Sequence, residues 1–596
     1  MERVSKSPKK KNKAFIVFEI IISLILLGFT GYVIYLLLTL NLLPSKLLIP
    51  VCLIVCLSAL ILLVLLNFAS TRLWSKIISS ILVVLMSVAM GFGSVYLKNT
   101  ADTLKRVTEQ AGKVKTTVSV ISLASSSYEN LEDLMNKKVA TLKNIDQNGT
   151  KKSLNDIKKQ EVTIETAEYD NVPAQIKALY DGEVDAIVLN EVYRSNVSEI
   201  EEYADFSNQT KVVYQTVFYT DTANEPLAVS DITTNPFTVL ITGNDSYGEF
   251  EEMSRSDVNM IVTVNPVTST VLMTSIPRDY FVEEVCDDYA CNYGATDKLT
   301  HTGIYGVSTT KDTLENLLDI EINYTFRVNF SSMENIVDAI GGIDIEVAPG
   351  MAVSKFYSDS SLEGVTEGLN HLDGKRALAY SRERKAYLDG DAQRARNQQQ
   401  VLEAIIDKVT SPSILTNYSQ LLEALGNAFE TNMSMDEITS LVQYQIQAMP
   451  EWKFEQYVLK GYGDMAVSPE LGTEVSVVIP DTNSVSIASQ KIAAVINGES
   501  STTIEAEEDV PAGTLSQEEI EAQIQAGLLT EGGYYYYDES TYYDSSATYD
   551  DSTYYDSSTT YDDSSQIYED STYYDPNAVT GDGYYQGETY TEETYQ

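Results

Sequence analysis

Residues 255–280 read RSDVNMIVTVNPVTSTVLMTSIPRDY, and two strand-like runs inside this stretch, MIVTVNP and TVLMTSIP, set the reading of the fold. Both are rich in β-branched and apolar residues and end in polar or Pro positions, the pattern of strands. Further strand-like runs, FTVLITG upstream and YTFRVNF and IDIEVAP downstream, interleave with the helix-like runs TKDTLENLL, SMENIVDAI, RNQQQVLEAIIDKV and MDEITSLVQYQI. The alternation predicts an α/β unit from about Pro236 to Glu499, a central sheet flanked by helices. Charges stand at the strand boundaries: Asp245 in GNDSYG just past the first strand, Arg255 and Asp257 before the next, Arg278 and Asp279 after a third. Strand ends of an open α/β sheet converge on one crevice, where such folds bind ligands.

Further along the same unit, Tyr380–Gln400 (YSRERKAYLDGDAQRARNQQQ) gathers Arg382, Arg384, Arg394 and Arg396 around Asp389 and Asp391. Planar guanidinium forks in this density suit a phosphate-bearing substrate. The chain as a whole has 41 basic and 86 acidic residues and a net charge of -45, so nucleic acid is not an expected partner and the cluster is a local basic island. Arg–Asp neighbours taken singly are more often surface ion pairs or turn residues. The weight rests on their joint occurrence. Carboxylates facing a phosphate need a cation between them, and Mg²⁺ takes one or two carboxylates together with phosphate oxygens.

Upstream, three apolar runs, 14–40, 47–69 and 77–97, each approach the ~20 residues that cross a bilayer as a helix. Basic residues cluster in the first 13 positions and at Arg72 and Lys76, which predicts a cytoplasmic N-terminus and, after an odd number of spans, an extracellular remainder. In that compartment Cys286 and Cys291 of CDDYAC are disulfide candidates; Cys52 and Cys56 lie within the second span. The polar stretch 98–115 reads as a stalk. A first unit over 116–222 alternates TVSVISL, KKVATL, VTIETAEY and DAIVLN with helix-like runs, a smaller α/β accessory domain that resembles one lobe of extracellular solute-binding proteins. After Lys491 no Lys or Arg occurs, and STYYDSSATYDD at 540–551 returns as STYYDSSTTYDD at 552–563, so 500–596 reads as an acidic disordered tail.

Two histidines, His301 and His371, and no GxSxG or GxxxxGK[ST] motif leave little for serine-hydrolase or kinase chemistry. The ordered set RSDVNMIVTVNP, TSIPRDY, DKLTHTGIYG, VDAIGGIDIEV, LDGKRALAYSRER and DGDAQRARNQQQV resembles the LytR-CpsA-Psr domain of Gram-positive envelope proteins. The three spans and the extra unit resemble its capsule-associated CpsA type. The resemblance implies a membrane-bound enzyme that moves a glycopolymer, teichoic acid or capsular polysaccharide, from a polyprenyl-diphosphate carrier in the membrane lipid onto peptidoglycan. It implies a diphosphate grip by Arg278, Arg382, Arg384, Arg394 and Gln398, with Asp391 beside it and Arg255 and Lys298 near the head group. It further implies Mg²⁺ (or Mn²⁺) on Asp245 and Asp257. Some members read RQ where this chain has Asn397-Gln398, with Arg396 the candidate replacement. Asp245 and Asp257 stay open as receivers of the acceptor's proton. Hydrolysis of the same lipid diphosphate, or a non-catalytic sensor or scaffold, are the alternatives.

Overall fold

The computed structural model describes residues 13–69, 72–109, 113–143, 145–194, 197, 200–203, 205–221, 224–244, 254–286, 291, 293–411, 420–421, 424, 429–506 and 511–514. Three helices open it: α1 (Lys13–Leu40), α2 (Ser45–Val64, continued by a π-helical turn Leu65–Ala69) and α3 (Leu73–Glu109). The segments Phe15–Leu40, Ser45–Ala69 and Leu73–Thr103 are long and apolar enough to cross a membrane. They turn large apolar side chains outward, with Leu24 63%, Ile54 65% and Phe92 75% exposed, a surface suited to lipid. Lys76 Nζ meets the Glu19 carboxylate at 2.5 Å, so the charge inside the first run is paired across α1 and α3. The helix does not stop at the end of the third apolar run. No Gly or Pro interrupts 98–109, and α3 runs on to Glu109 through most of the stretch read as a stalk.

A five-stranded sheet follows, in the order β3-β2-β4-β1-β5, from β1 (Lys113–Leu123), β2 (Lys138–Leu142), β3 (Glu165–Tyr169), β4 (Ala186–Asn190) and β5 (Thr210–Asp221). β2 runs parallel to β3 and β4, and the long β1 pairs antiparallel with β4 and β5. Helices α4 (Gln147–Lys159) and α5 (Val172–Tyr180) cover it. Asn171 starts α5 by accepting the Ala174 N–H, with Pro173 in the first turn, where its missing N–H costs nothing.

The second unit is built on a six-stranded mixed sheet, β16-β11-β6-β7-β8-β17. Its strands are β6 (Phe237–Asn244), β7 (Val258–Asn265), β8 (Thr270–Ile276), β11 (Tyr324–Asn329), β16 (Phe429–Thr431) and β17 (Lys453–Val458). Short ribbons β9–β10 (Phe281–Glu283, Thr296–Lys298), β12–β15 (Ile343–Val347, Gly368–Leu372), β13–β14 (Val353–Lys355, Glu363–Val365) and β18–β19 (Gly461–Ser468, Thr473–Pro480) decorate it.

Alternation along the strands sorts the core into two faces. Leu240, Ile261 and Leu272 pack on α6 (Val307–Leu318) and on the C-terminal helix through Leu314, Leu318 and Ile492. Val239, Met260, Val262 and Met273 face the other way, toward Leu402 and Ile438. Three more helices, α7 (Phe330–Ala339), α8 (Gly374–Arg382) and α9 (Gly390–Thr410), pack with the β12–β15 and β13–β14 ribbons in a further core. α10 (Met435–Ala448) and α11 (Thr482–Ile496) close the unit. β8 is buried on both faces, which explains why TVLMTSI is nearly continuous apolar and Thr/Ser rather than alternating.

The boundary drawn at 500 shifts. Residues 500–506 stay packed on the unit, with Lys491 Nζ donating to Ser501 O at 2.8 Å, and Gly513 O accepts the Leu388 N–H at 3.0 Å. The repeats at 540–563 lie outside the described residues. Cys286 and Cys291 are joined as a disulfide, and Cys52 and Cys56 are free.

Candidate functional site

Strand direction brings the charged boundary residues to one edge. β7 is antiparallel to β6 and β8, while β11 and β17 run parallel to β6 and β8, so the C-terminal ends of β6, β8, β11 and β17 meet the start of β7. Asp257 sits at that start, its N–H donating to Gly243 O at 2.8 Å. Arg278 follows β8 and Pro277 at the same edge. Asp245 comes two residues after Gly243 and lies outside the described residues.

Arg278 Nη1 donates to Asp257 Oδ1 at 2.9 Å, both side chains only 6–7% exposed. The Thr300 hydroxyl donates to the same oxygen at 3.2 Å. Asp279 Oδ1 takes Lys298 Nζ at 3.0 Å, and its other oxygen lies 3.7 Å from Arg278 Nε. Burial pushes the Asp279 carboxyl up, but the charges of Lys298, Arg278 and Arg394 and the Lys298 hydrogen bond outweigh burial and hold it well below the usual carboxylate range.

Asp391 lies where α9 begins. Arg394 Nη2 reaches it at 3.1 Å and Arg384 Nη1 at 3.7 Å. Burial raises its carboxyl, and Arg394, Arg384 and Arg278 together bring it below the ordinary value. Arg278 and Arg394 each act on both Asp279 and Asp391, so the strand-end residues and the arginine stretch form one field. Its four cations, Arg278, Lys298, Arg384 and Arg394, face three carboxylates, Asp257, Asp279 and Asp391, an excess of one positive charge. Such a site attracts an anion.

Local structure explains how the arginines are held. Asp373 caps α8 by accepting the Arg376 N–H, and α8 ends at Arg382, half-buried at its last position. Glu383 then turns inward, fully buried, and its carboxylate accepts the N–H groups of Tyr357, Ser358 and Ala386. This anchor fixes the turn between Arg382 and Arg384. Burial raises the Glu383 carboxyl, partly offset by those backbone donors. α9 is fastened by Gln399, whose buried amide donates to Met273 O, Ser275 Oγ and Tyr457 O at 3.2, 2.9 and 3.0 Å. Gln398, one turn beyond Arg394, is half-buried.

Asn397 is fully buried and donates to Tyr380 O at 2.9 Å, tying α9 to α8. Arg396 bonds Asp389 and, at 2.7 Å, Gln393 Oε1. Neither Glu383 nor Gln399 is legible as a site residue from sequence. A glutamate between two arginines and a glutamine in a run of three look like surface positions. Arg255 lines a separate cleft with Thr242, Ser254, Gly306, Thr310 and Arg327. His301 is buried, its Nδ1 3.0 Å from Asp297 Oδ1, and His371 is exposed beside Asp344.

For a metal, the described residues hold no group of three His, Cys, Asp or Glu suited to an ion. Asp257 is a single carboxylate beside a hydroxyl and next to the end of β6. An oxygen-donor set of one or two carboxylates completed by phosphate oxygens fits Mg²⁺ chemistry and not an all-protein cage.

Known proteins resemble this chain over the same region. The profile described as LytR_cpsA_psr family matches residues 193–471. TagU of Bacillus licheniformis, named a polyisoprenyl-teichoic acid–peptidoglycan teichoic acid transferase, is 34% identical over 38% of this chain and 70% of its own length. TagT of Bacillus subtilis, of the same named activity, is 35% identical over 35% of this chain and 63% of its own. The crystal structure of B. subtilis TagV is 27% identical, covers 44% of this chain and 98% of that one, and gives a TM-score of 0.37. A second profile, described as a DNA polymerase processivity factor, matches residues 74–189. That stretch starts inside α3 and stops before β5, so it outlines no structural unit. With the profile spanning the strand ends, the arginine stretch and Lys298, and with relatives matched over most of their length, the chain belongs to the LytR_cpsA_psr family.

Proposed function

We propose that this chain is a membrane-anchored phosphotransferase that moves a glycopolymer of the teichoic acid or capsular type from a polyprenyl-diphosphate carrier to peptidoglycan on the outer face of the membrane. The observation that carries the reading is the joined field of Arg278, Lys298, Arg384 and Arg394 at one sheet edge, in a chain otherwise strongly acidic. The activity named for TagU and TagT supports the substrate class.

In this mechanism Arg278, Arg384 and Arg394, with Arg382 and Gln398 beside them, hold the diphosphate. A hydroxyl of peptidoglycan attacks the phosphorus that bears the glycan. The bond from that phosphorus to the bridging oxygen breaks, polyprenyl phosphate leaves with the bond's electron pair, and the hydroxyl proton passes to a base. Asp279 and Asp391 keep the cations in place without neutralising the site. Phosphoryl transfer asks mainly for such positioning and neutralisation of charge, which explains how a site with no catalytic histidine suffices. Mg²⁺, or Mn²⁺, when bound by Asp257 and Asp245 supplies further neutralisation of the phosphate oxygens.

The test uses the full chain in detergent with a polyprenyl-diphosphate-linked glycan, Mg²⁺ and peptidoglycan fragments, and looks by mass spectrometry for polymer joined through phosphate. Attachment that disappears in Arg394→Ala is expected. EDTA is expected to abolish it, and full activity in EDTA overturns the metal assignment alone. Free polymer without attachment overturns transfer in favour of hydrolysis.

A further inference from the structure

The first α/β unit does not merely precede the catalytic one. Ile304, only 3% exposed, belongs by sequence to the catalytic unit but packs inside the core of the first, among Leu142, Ile145, Leu189 and Tyr193. Next to it the Tyr305 hydroxyl bonds Glu470 Oε2, and Tyr193, from the turn after β4, is buried in the same core as Ile304, beside Tyr305 and Glu470. Glu470 is fully buried. A Cβ at Gly472 would meet Asn171 Nδ2 at 2.5 Å, so the cap of α5 lies directly on this backbone. A carboxylate buried beside tyrosines of two units is kept from water only when the two are seated together.

Segment 296–306 is what this contact grips, and its first half reaches the phosphate site through Lys298 and Thr300. Glu470 N–H donates to Asp297 Oδ2 at 3.0 Å and Ser468 Oγ to the same oxygen at 2.7 Å, while His301 takes Asp297 Oδ1. Lys298, the next residue, reaches Asp279, and Thr300 reaches Asp257. Thr300 N–H also donates to Arg278 O at 2.8 Å, and Thr300 O accepts the Ser256 N–H at 2.9 Å. A shift of this segment moves a cation and a hydroxyl out of the site.

We propose that the first α/β unit is a positioning element of the enzyme: through the insertion of Ile304 and the packing of Tyr193 beside Glu470 it clamps segment 296–306, and affinity for the donor's diphosphate depends on that clamp. Tyr193 and Glu470 are positioning residues that act through Lys298 and Thr300. The inference rests on the phosphate-site reading given above.

The experiment measures binding of farnesyl diphosphate to the full chain in detergent by calorimetry, with the donor KM and kcat of transfer alongside. Tyr193→Phe removes the hydroxyl that lies beside the buried Glu470 carboxylate and is expected to weaken binding by about ten-fold, with donor KM rising and kcat retained. Tyr128→Phe is the control. It deletes a hydroxyl bonded to Asp185 at 2.6 Å within the first unit, and it leaves farnesyl diphosphate affinity unchanged. Wild-type affinity in Tyr193→Phe, or an equal loss in Tyr128→Phe, overturns the proposal. Arg278→Ala separates the two levels: if it also binds like wild type, the phosphate site itself is misassigned.

Discussion

Asp279→Asn splits stability from binding, with opposite signs. In the ligand-free protein Asp279 compensates Lys298, which is 3% exposed and 3.0 Å away, and assists Arg278 at 3.7 Å. Removing the charge leaves a buried ammonium without its carboxylate, and breaking a buried pair from one side costs about 3–5 kcal/mol. At roughly 2–4 °C per kcal/mol for a unit of this size, the catalytic unit should melt about 6–20 °C lower. An anionic ligand then meets one less negative charge and can satisfy Lys298 itself. Farnesyl diphosphate should therefore raise the melting temperature of Asp279→Asn by more than that of wild type. The pH dependence has a definite sign. The folded carboxyl lies below its unfolded value near 3.9, so its stabilisation is complete above that value and is lost only as pH falls through the lower folded value. The gap between wild type and variant should stay constant from pH 8 down to about pH 5 and close only in strong acid. A variant as stable as wild type without ligand, or a smaller ligand-induced shift, refutes this account of the charge cluster.

Other perturbations test the supports. Burial pushes the Asp146 carboxyl at the start of α4 up to about 6, above its unfolded value, so the protonated fold is favoured at low pH and the advantage is lost as pH rises through about 6. Asp146→Asn keeps a capping oxygen for Gly149 and should stabilise by about 2–3 kcal/mol at pH 7.5, with no gain at pH 4 in thermal melts. Gln399→Leu strands the acceptors Met273 O, Ser275 Oγ and Tyr457 O, and should cost about 2–4 kcal/mol in denaturant titration and raise donor KM by loosening the start of α9. Glu383→Ala leaves three backbone N–H groups without their acceptor, and hydrogen exchange at 383–390 should accelerate at least ten-fold. Unchanged exchange there would show that the turn between Arg382 and Arg384 holds without it.

The sequence alone determined the properties that reside in local pattern and residue type. Apolar runs near 20 residues mark the three membrane-length helices because the bilayer sets that length. Strand-like and helix-like runs alternate as the α/β units do, because side-chain period follows backbone period. The arginines of 382–394 stand out by residue type as a basic island in an acidic chain, and their order with RSD and PRD carries the family. Tertiary structure decided what depends on residues far apart in the chain. It paired Arg278 with Asp257 and joined Asp279 and Asp391 in one field. It turned Glu383 and Gln399 inward, positions whose side-chain type predicts exposure, because only the packed loop and the α9–β8 contact offer them partners. It also carried α3 through the stretch read as a stalk and seated Ile304 in the neighbouring unit's core. No local pattern records such choices, since each is set by which surfaces meet after the elements have formed.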